Sequence, residues 1–189
     1  MSIKKQYLTR LIELDIGHRV MNERVKCYSI HGHRVTVELT FSFVSQQDIG
    51  YCIDFKEIKR VGGQWLDDYM DHGFIANPLD DAVIDACKKT NSKLYLMSLN
   101  GPNTYCNPTA ENISREIFMA LEILFEDYAD LSLHSVCYYE TPNCYVLADA
   151  NSIDAEERRH FHQYRYNEIK KYAKEKGIME YDSRKIEIK

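Results

Sequence analysis

The sequence lacks the features that mark membrane-inserted, secreted or low-complexity proteins. No stretch approaches the roughly 20 consecutive apolar residues that a membrane span needs, and the first residues lack the apolar core of a signal peptide. The chain of 189 residues holds only 4 prolines and 8 glycines, without internal repeats. Its 6 cysteines follow no regular spacing. We therefore expect free thiols in a cytoplasmic protein, without a membrane partner.

The charge balance gives no reason to expect a nucleic-acid partner. The formal net charge is −5, whereas nucleic-acid-binding surfaces are usually basic. The hydrophobic content of 44% is sufficient for a sizeable core, and the length fits one domain. The highly charged residues 151–189 form a separate C-terminal extension, which we predict to be helical and to follow a domain spanning 1–150.

Hydrophobic periodicity predicts an α+β domain with an antiparallel sheet. The predicted main strands are 6–16, 33–44, 134–140 and 144–148. The predicted long helices begin at the N-caps Asp54 and Thr109, and a further one lies within 152–176. Residues 78–107 read as an insertion, with a short helix at 80–89 and a short strand at 93–98.

Two histidines two residues apart, in His31-Gly-His33, precede the β-branched, alternating run of 35–43. Alternate residues of a strand point to one face, so both imidazoles can reach one metal ion. His18 ends the first predicted strand and can reach the same ion if the two strands pair. Three protein ligands and an open position are typical of catalytic zinc. The alternative is ordinary strand histidines, exposed or hydrogen-bonded in the core.

Cys27, four residues before His31, allows three interpretations. Its thiolate could be a fourth zinc ligand that closes the site structurally. It could instead be a general base or nucleophile favoured by a nearby cation. A buried, inert cysteine is the third possibility.

Three further carboxylate positions are candidates for chemistry. In Asp71-His72 an aspartate can orient an imidazole and stabilise its protonated form, although a helix-terminal Asp beside an exposed His explains the pair equally well. Glu140 ends a predicted strand and, if buried, needs a partner such as a multi-donor ligand edge; it could also lie in water at the sheet edge. Glu111 occupies a first helical turn, where the helix dipole alone favours a carboxylate.

Taken in order, six motifs of the chain resemble the 6-pyruvoyl- and 6-carboxy-tetrahydropterin synthase family. They are His18-Arg19, Cys27-x-x-x-His31-Gly-His33, Ile53-Asp54-Phe55-Lys56, the segment Leu66 to Asn77 around Asp71-His72, Asn107-Pro-Thr-Ala-Glu-Asn112, and Glu140-Thr141.

This resemblance implies the tunnelling fold (T-fold), a four-stranded antiparallel sheet with two helices on one face. It also implies homo-oligomers, commonly hexamers made of two trimers, with active sites at subunit interfaces. The insertion and the C-terminal extension depart from the short bacterial enzymes of the family, and Ile16-Gly17 stands where the family usually has small residues.

The resemblance further implies a pterin triphosphate substrate and a role for each candidate. Zn²⁺ would be held by His18, His31 and His33, Cys27 would remove a proton, and Asp71-His72 would return one. Glu140 would hold the amino-pyrimidine edge of the pterin, with Thr109 and Glu111 shaping the pocket.

The spacing between Cys27 and His31 is similar to that of the 6-carboxy branch, which forms 6-carboxy-5,6,7,8-tetrahydropterin, acetaldehyde and triphosphate from 7,8-dihydroneopterin triphosphate. The 6-pyruvoyl branch usually has a longer gap. A third, aldolase-like branch has a glutamate near the His-Gly-His in place of the cysteine, but here position 30 is Ile and Cys27 is present. A 6-pyruvoyl synthase and a non-catalytic pterin- or purine-binding zinc protein remain alternatives.

Overall fold

The computed structural model describes residues 4–22, 24 and 26–178. The strands are β1 (Gln6–His18), β2 (His31–Phe43), β3 (Gly73–Ala76), β4 (Leu94–Leu96), β5 (Leu131–Thr141) and β6 (Cys144–Asp149). The helices are α1 (Phe55–Ile58), α2 (Gln64–Tyr69), α3 (Asp81–Thr90), α4 (Ala110–Phe125) and α5 (Ala155–Glu175), and a π-helical turn, Lys59–Gly63, joins α1 to α2. In this part of the chain no helix is both long and apolar enough to cross a bilayer.

The predicted α+β class is confirmed, and the sheet has six strands instead of the four that the resemblance implies. The sheet order is β4-β3-β1-β2-β5-β6. The four predicted main strands form its antiparallel part, β1-β2-β5-β6, and β4 lies within the short strand predicted at 93–98. Two short strands, β3 and β4, extend it in parallel orientation from the outer edge of β1. This addition pairs backbone groups that would otherwise lie unpaired at that end of β1.

The two faces of the sheet differ in burial. The helix face, defined by Leu14 and Ile16 of β1, Val35 and Val37 of β2 and Val136 of β5, is buried under the helices. The opposite, open face includes the exposed Leu11 of β1 and Leu147 of β6. This alternation follows from the two-residue period of a strand, which places every second side chain on the same face.

Helix α4 provides the largest apolar surface against the helix face. Thr109 caps it by accepting a hydrogen bond from the Asn112 amide at 3.4 Å, as predicted. The predicted stripe of this helix is buried along its length and comprises Ile113, Ile117, Leu121 and Leu124. The helix therefore fixes the position of its N-terminus relative to the end of the sheet.

The predicted helix at 54–69 is interrupted by the π-helical turn, which holds the Gly62-Gly63 pair. Asp54 caps its start by accepting from the Lys56 amide at 2.8 Å. A Cβ on Gly62 would lie 3.1 Å from Leu39 Cδ1, so the glycine allows this helical segment to pack closely on β2.

The C-terminal helix α5 packs on the domain and fills part of its core. Phe161 and Ile169 are fully buried. Arg165 Nη2 donates to Tyr95 Oη at 3.2 Å, and Tyr95 Oη donates to Glu116 Oε1 at 2.8 Å. Ser98 also donates to Glu116, through its amide and its hydroxyl. Burial raises the pKa of Glu116, while these donors oppose that shift. The extension thus reaches a polar network inside the fold.

Replacing Phe161 with alanine is expected to lower the free energy of unfolding by about 3 to 5 kcal/mol, the usual cost of truncating a buried phenylalanine. Chemical denaturation followed by circular dichroism measures the change. Lys171→Ala, on an exposed face of the same helix, is the matched control and should shift stability little. A loss below about 1 kcal/mol for Phe161→Ala, in the range of surface changes, would contradict the docking of α5.

Candidate metal and substrate site

Three histidines meet where β1 ends and β2 begins. In the antiparallel register His18 lies opposite His31, and Ile16 lies opposite His33, so the three side chains share the helix face. The ring centroids are 4.6 Å apart for His18 and His31, 5.3 Å for His18 and His33, and 5.0 Å for His31 and His33. One nitrogen from each ring lies within 4.8 Å of the other two, which permits a shared metal ion.

Backbone carbonyls fix which ring nitrogens face the centre of this cluster. Nδ1 of His18 donates to the Pro108 carbonyl at 2.8 Å, and Nδ1 of His31 donates to the Ser29 carbonyl at 2.7 Å. Because a carbonyl can only accept, each Nδ1 carries a proton, so Nε2 is the ring nitrogen that remains available to a metal ion. Metal-bound histidines usually show this arrangement.

His18 shows the strongest fit to a bound cation. Its side chain is 1% exposed, and burial lowers its pKa, so the ring is neutral at neutral pH. Its buried Nε2 has no hydrogen-bond partner among the residues that the structure describes. An unsatisfied buried acceptor is costly, and a divalent cation held with His31 and His33 would satisfy it. The donor set of three imidazoles suits zinc and also other divalent ions.

Gly32 allows the two strands to approach each other beside the cluster. A Cβ at this position would lie 2.7 Å from the carbonyl oxygen of Ile16, a backbone atom that cannot move without opening the β1–β2 ladder. Gly17 is similarly crowded, with a Cβ position 2.7 Å from the Phe74 ring. The Gly in His31-Gly-His33 therefore has a steric reason, and so has the Gly before His18.

The structure brings Glu140 and the start of α4 to the histidine cluster. Glu140 shares the helix face of β5 with the buried Val136 and Tyr138, and its Oε1 lies 3.6 Å from His18 Nε2. Thr109 follows Pro108, whose carbonyl anchors His18. Glu111 is exposed in the first turn of α4. A carboxylate and a helix N-terminus thus border the three imidazoles.

Cys27 lies in the connection between β1 and β2, as a half-buried free thiol. Its carbonyl accepts a hydrogen bond from the Val20 amide at 2.7 Å, which ties the loop to the residues just after His18. The group of ligand atoms within 4.8 Å of one another consists of the three histidines and does not include the thiol.

Asp71 and His72 form a hydrogen-bonded pair at a different place. Asp71 Oδ2 accepts from His72 Nδ1 at 2.9 Å, and Asp71 Oδ1 accepts from the Asp15 amide at 2.7 Å. Burial alone would raise the pKa of Asp71, but these hydrogen bonds and the nearby charges of His72 and Lys93 lower it overall. His72 has a positive φ of 52° and a side chain that is 75% exposed.

This pair is not brought to the histidine cluster within one chain. One ligand atom each from Asp15, Asp71 and His72 lies within 4.8 Å of the other two. Asp15 alternates with the buried Leu14 and Ile16, so its side chain lies on the open face. The Asp71–His72 pair therefore lies beside the open face, whereas His18, His31 and His33 lie on the helix face.

Sequence reasoning missed the polar contacts that brace the loop after His18. Asn107 accepts from the Met21 amide at 3.1 Å and donates to the Met21 carbonyl at 2.9 Å. The fully buried Asn77 donates to Asn107 Oδ1 at 2.9 Å. Asp80 binds Arg19. Asn77 ends one of the six family motifs and Asn107 begins another, so the sequence offered a reason to consider them as site residues. Asp80 and its partner Arg19 are 61 residues apart, and no local pattern predicts that pair.

Comparison with known proteins identifies the class. The sequence profile of the 6-pyruvoyl tetrahydropterin synthase family matches residues 7–151, so the chain belongs to this family of enzymes. The resemblance predicted from the six motifs is thereby confirmed.

Among individual relatives, a 6-carboxy-5,6,7,8-tetrahydropterin synthase of Rickettsia felis is 36% identical over 145 residues, which are 73% of this chain and 96% of that protein. The Rickettsia bellii protein of the same name is 34% identical over 143 residues, with the same coverage.

Solved structures confirm the predicted T-fold class. An uncharacterized protein of Wolinella succinogenes superposes with a TM-score of 0.62 at 16% identity, covering 78% of this chain and 99% of that one. The Caenorhabditis elegans 6-pyruvoyl tetrahydropterin synthase superposes with a TM-score of 0.56 at 18% identity, covering 79% and 99%.

Replacing Gly32 with alanine is expected to destabilise the protein by about 1 to 3 kcal/mol through forced overpacking, and to lower the metal content of the purified protein. Denaturant unfolding and metal analysis by plasma mass spectrometry measure the two effects. Gly63→Ala is the matched control, because the atoms nearest to its Cβ would belong to the side chains of Ile12 and Lys59 and not to the backbone. Wild-type metal content and stability in Gly32→Ala would contradict the steric role.

Proposed function

We propose that this protein is a zinc-dependent 6-carboxytetrahydropterin synthase. It would convert 7,8-dihydroneopterin triphosphate and one water molecule to 6-carboxy-5,6,7,8-tetrahydropterin, acetaldehyde and triphosphate in the cytoplasm, as a step towards 7-deazaguanine compounds such as queuosine. The observation that supports the proposal most strongly is the three-histidine cluster, with its unpartnered buried Nε2, beside Glu140. The names of the Rickettsia relatives favour the 6-carboxy product.

The histidines are the proposed zinc ligands, with the remaining position open to the substrate. Zn²⁺ on His18, His31 and His33 would supply Lewis-acid polarisation of the substrate's side-chain hydroxyls, which acidifies the neighbouring carbon-bound protons. The Pro108 and Ser29 carbonyls keep the rings oriented with Nε2 towards the centre. The ligands are therefore held before any substrate arrives.

Glu140 is the proposed anchor for the pterin. Its carboxylate is partly buried and borders His18, so it can accept two hydrogen bonds from the amino-pyrimidine edge in a partly dry site. Thr109 and Glu111 line the same side, at the start of α4. This placement would leave the three-carbon side chain of the substrate beside the metal ligands.

Cys27 is the proposed proton acceptor. Its position on the adjoining loop, outside the group of metal-ligand atoms, supports this role over that of a fourth zinc ligand. The thiolate would take a carbon-bound proton from the substrate side chain.

The Asp71–His72 pair is the proposed proton donor, and we propose that a second copy of the chain supplies it. In one chain the pair lies beside the open face, away from the histidine cluster. A homo-oligomer, such as the hexamer of two trimers implied by the resemblance, would allow a neighbouring copy to complete each site. The unpaired edge of β6 among the described strands offers backbone groups for such sheet-to-sheet association.

Incubation of the purified protein with 7,8-dihydroneopterin triphosphate is expected to release acetaldehyde and triphosphate and to yield a 6-carboxy product. Mass spectrometry identifies the pterin, and a coupled dehydrogenase assay detects acetaldehyde. Release of triphosphate without acetaldehyde would instead establish the 6-pyruvoyl reaction. No turnover, with pterin bound by the metal-loaded protein, would establish a binding protein.

Replacing Cys27 with alanine is expected to lower kcat by about 10²- to 10⁴-fold, the usual contribution of a general base, while zinc stays bound. Cys144→Ala, at an exposed free cysteine, is the matched control and should retain full activity. His31→Ala should lose both metal and turnover. Full activity in Cys27→Ala would exclude the general-base role, and loss of its zinc would indicate that the thiol is a ligand.

A further inference from the structure

Arg19 links the end of β1 to the insertion. Its Nε donates to Asp80 Oδ2 at 2.5 Å, and its Nη2 donates to Asp80 Oδ1 at 2.6 Å. Asp80 is 2% exposed and also accepts from the Val83 amide as the N-cap of α3. The guanidinium is therefore bound in two-point fashion to a carboxylate that the fold itself holds in place.

The same guanidinium contacts the loop that carries the thiol. Arg19 Cζ lies 5.1 Å from the ring centroid of Tyr28, the residue directly after Cys27. The adjacent Val20 amide donates to the Cys27 carbonyl at 2.7 Å. The two residues after His18 thus hold the adjacent residues Cys27 and Tyr28. Val20 binds the Cys27 backbone, and Arg19 makes a cation–π contact with the Tyr28 ring.

The two contacts of Arg19 differ in rigidity. The contact with Asp80 is buried and charge-assisted, whereas Tyr28 is 51% exposed. A planar guanidinium can contact an aromatic ring while its edge binds a carboxylate, a combination that a lysine ammonium cannot reproduce. Since Asp80 uses the Nε and Nη2 donors, the charge of Arg19 is already balanced. Its geometry suits holding a loop better than binding a free anion.

We propose that Arg19 is a positioning residue that sets the place of the Cys27 thiol relative to the histidine cluster, with Asp80 as its anchor and Tyr28 as its contact on the loop. The inference rests on the proposed role of Cys27. It also assigns a task to the insertion, whose first residues supply the anchor.

The test compares the zinc-loaded wild type with Arg19→Lys, the double variant Arg19→Gln/Asp80→Asn, Tyr28→Ala and Tyr28→Phe. The double variant avoids leaving a buried, unpaired carboxylate, which would endanger folding. Arg60→Gln is the matched control, because Arg60, in the π-helical turn, makes a similar two-point pair with Glu57 of α1 at 2.7 and 2.6 Å. The readouts are zinc content, kcat and KM, and the rate of iodoacetamide alkylation at each cysteine, resolved by peptide mass spectrometry.

In Arg19→Lys, the double variant and Tyr28→Ala, the alkylation rate of Cys27 should change several-fold while that of Cys144 stays constant and zinc is retained. In the double variant kcat should fall by about 10²-fold with a smaller change in KM, the effect of misplacing a reacting group by roughly 1 Å. Tyr28→Phe keeps the ring and loses the hydroxyl that interacts with Arg19, so its change should be smaller than that of Tyr28→Ala, whereas Arg60→Gln should behave as wild type.

Unaltered Cys27 alkylation and kcat in both the double variant and Tyr28→Ala would overturn the proposal. So would loss of zinc with unaltered Cys27 alkylation, because Arg19 would then act on the histidines alone. If the wild type does not convert 7,8-dihydroneopterin triphosphate, the proposed function fails, but the alkylation rates still report whether Arg19 holds the loop.

Discussion

The antiparallel register between β1 and β2 determines where the parts of the site lie. It pairs 13 residues of each strand without interruption. A slip by one residue would move every side chain of one strand to the other face, burying Glu38 and exposing Leu39, for example. The burial of the apolar residues on the helix face therefore also specifies that His18, His31 and His33 converge. Core packing and metal-site geometry depend on the same pairing, so the energy that stabilises the fold also preorganises the ligands.

The second support of the site comes from residues that are distant in sequence. The Pro108 carbonyl that orients His18 is 90 residues away, and it belongs to the turn before α4, whose stripe is buried against the sheet. The start of α4 is thus located by apolar packing along its whole length and not by the few polar contacts at its tip. A site built this way combines backbone acceptors that are located by packing with a loop, carrying Cys27, that is held by contacts to Arg19 and Val20.

Much of this arrangement could be predicted from the sequence. Period-two spacing, together with the position of His18 at a strand end, predicted the histidine cluster, and the ordered motifs predicted the fold class. The strand β3 was not predicted, because four residues are too few to show a period. Without β3, which begins directly after Asp71 and His72, the side of the sheet on which these two residues lie could not be predicted either. The pairing of Arg19 with Asp80 depends on the same missing strand and on tertiary placement, which local patterns do not encode.

The polar network around Glu116 bears on which residues belong to the folded domain. The match to the family ends at residue 151, yet Arg165 places a positive charge near the fully buried carboxylate of Glu116, and Phe161 is fully buried in the core. A chain truncated after residue 151 would keep the buried Glu116 but lose the positive charge of Arg165. The part of the chain that is similar to the family is therefore shorter than the part that folds around the common core, because the core also includes side chains of α5.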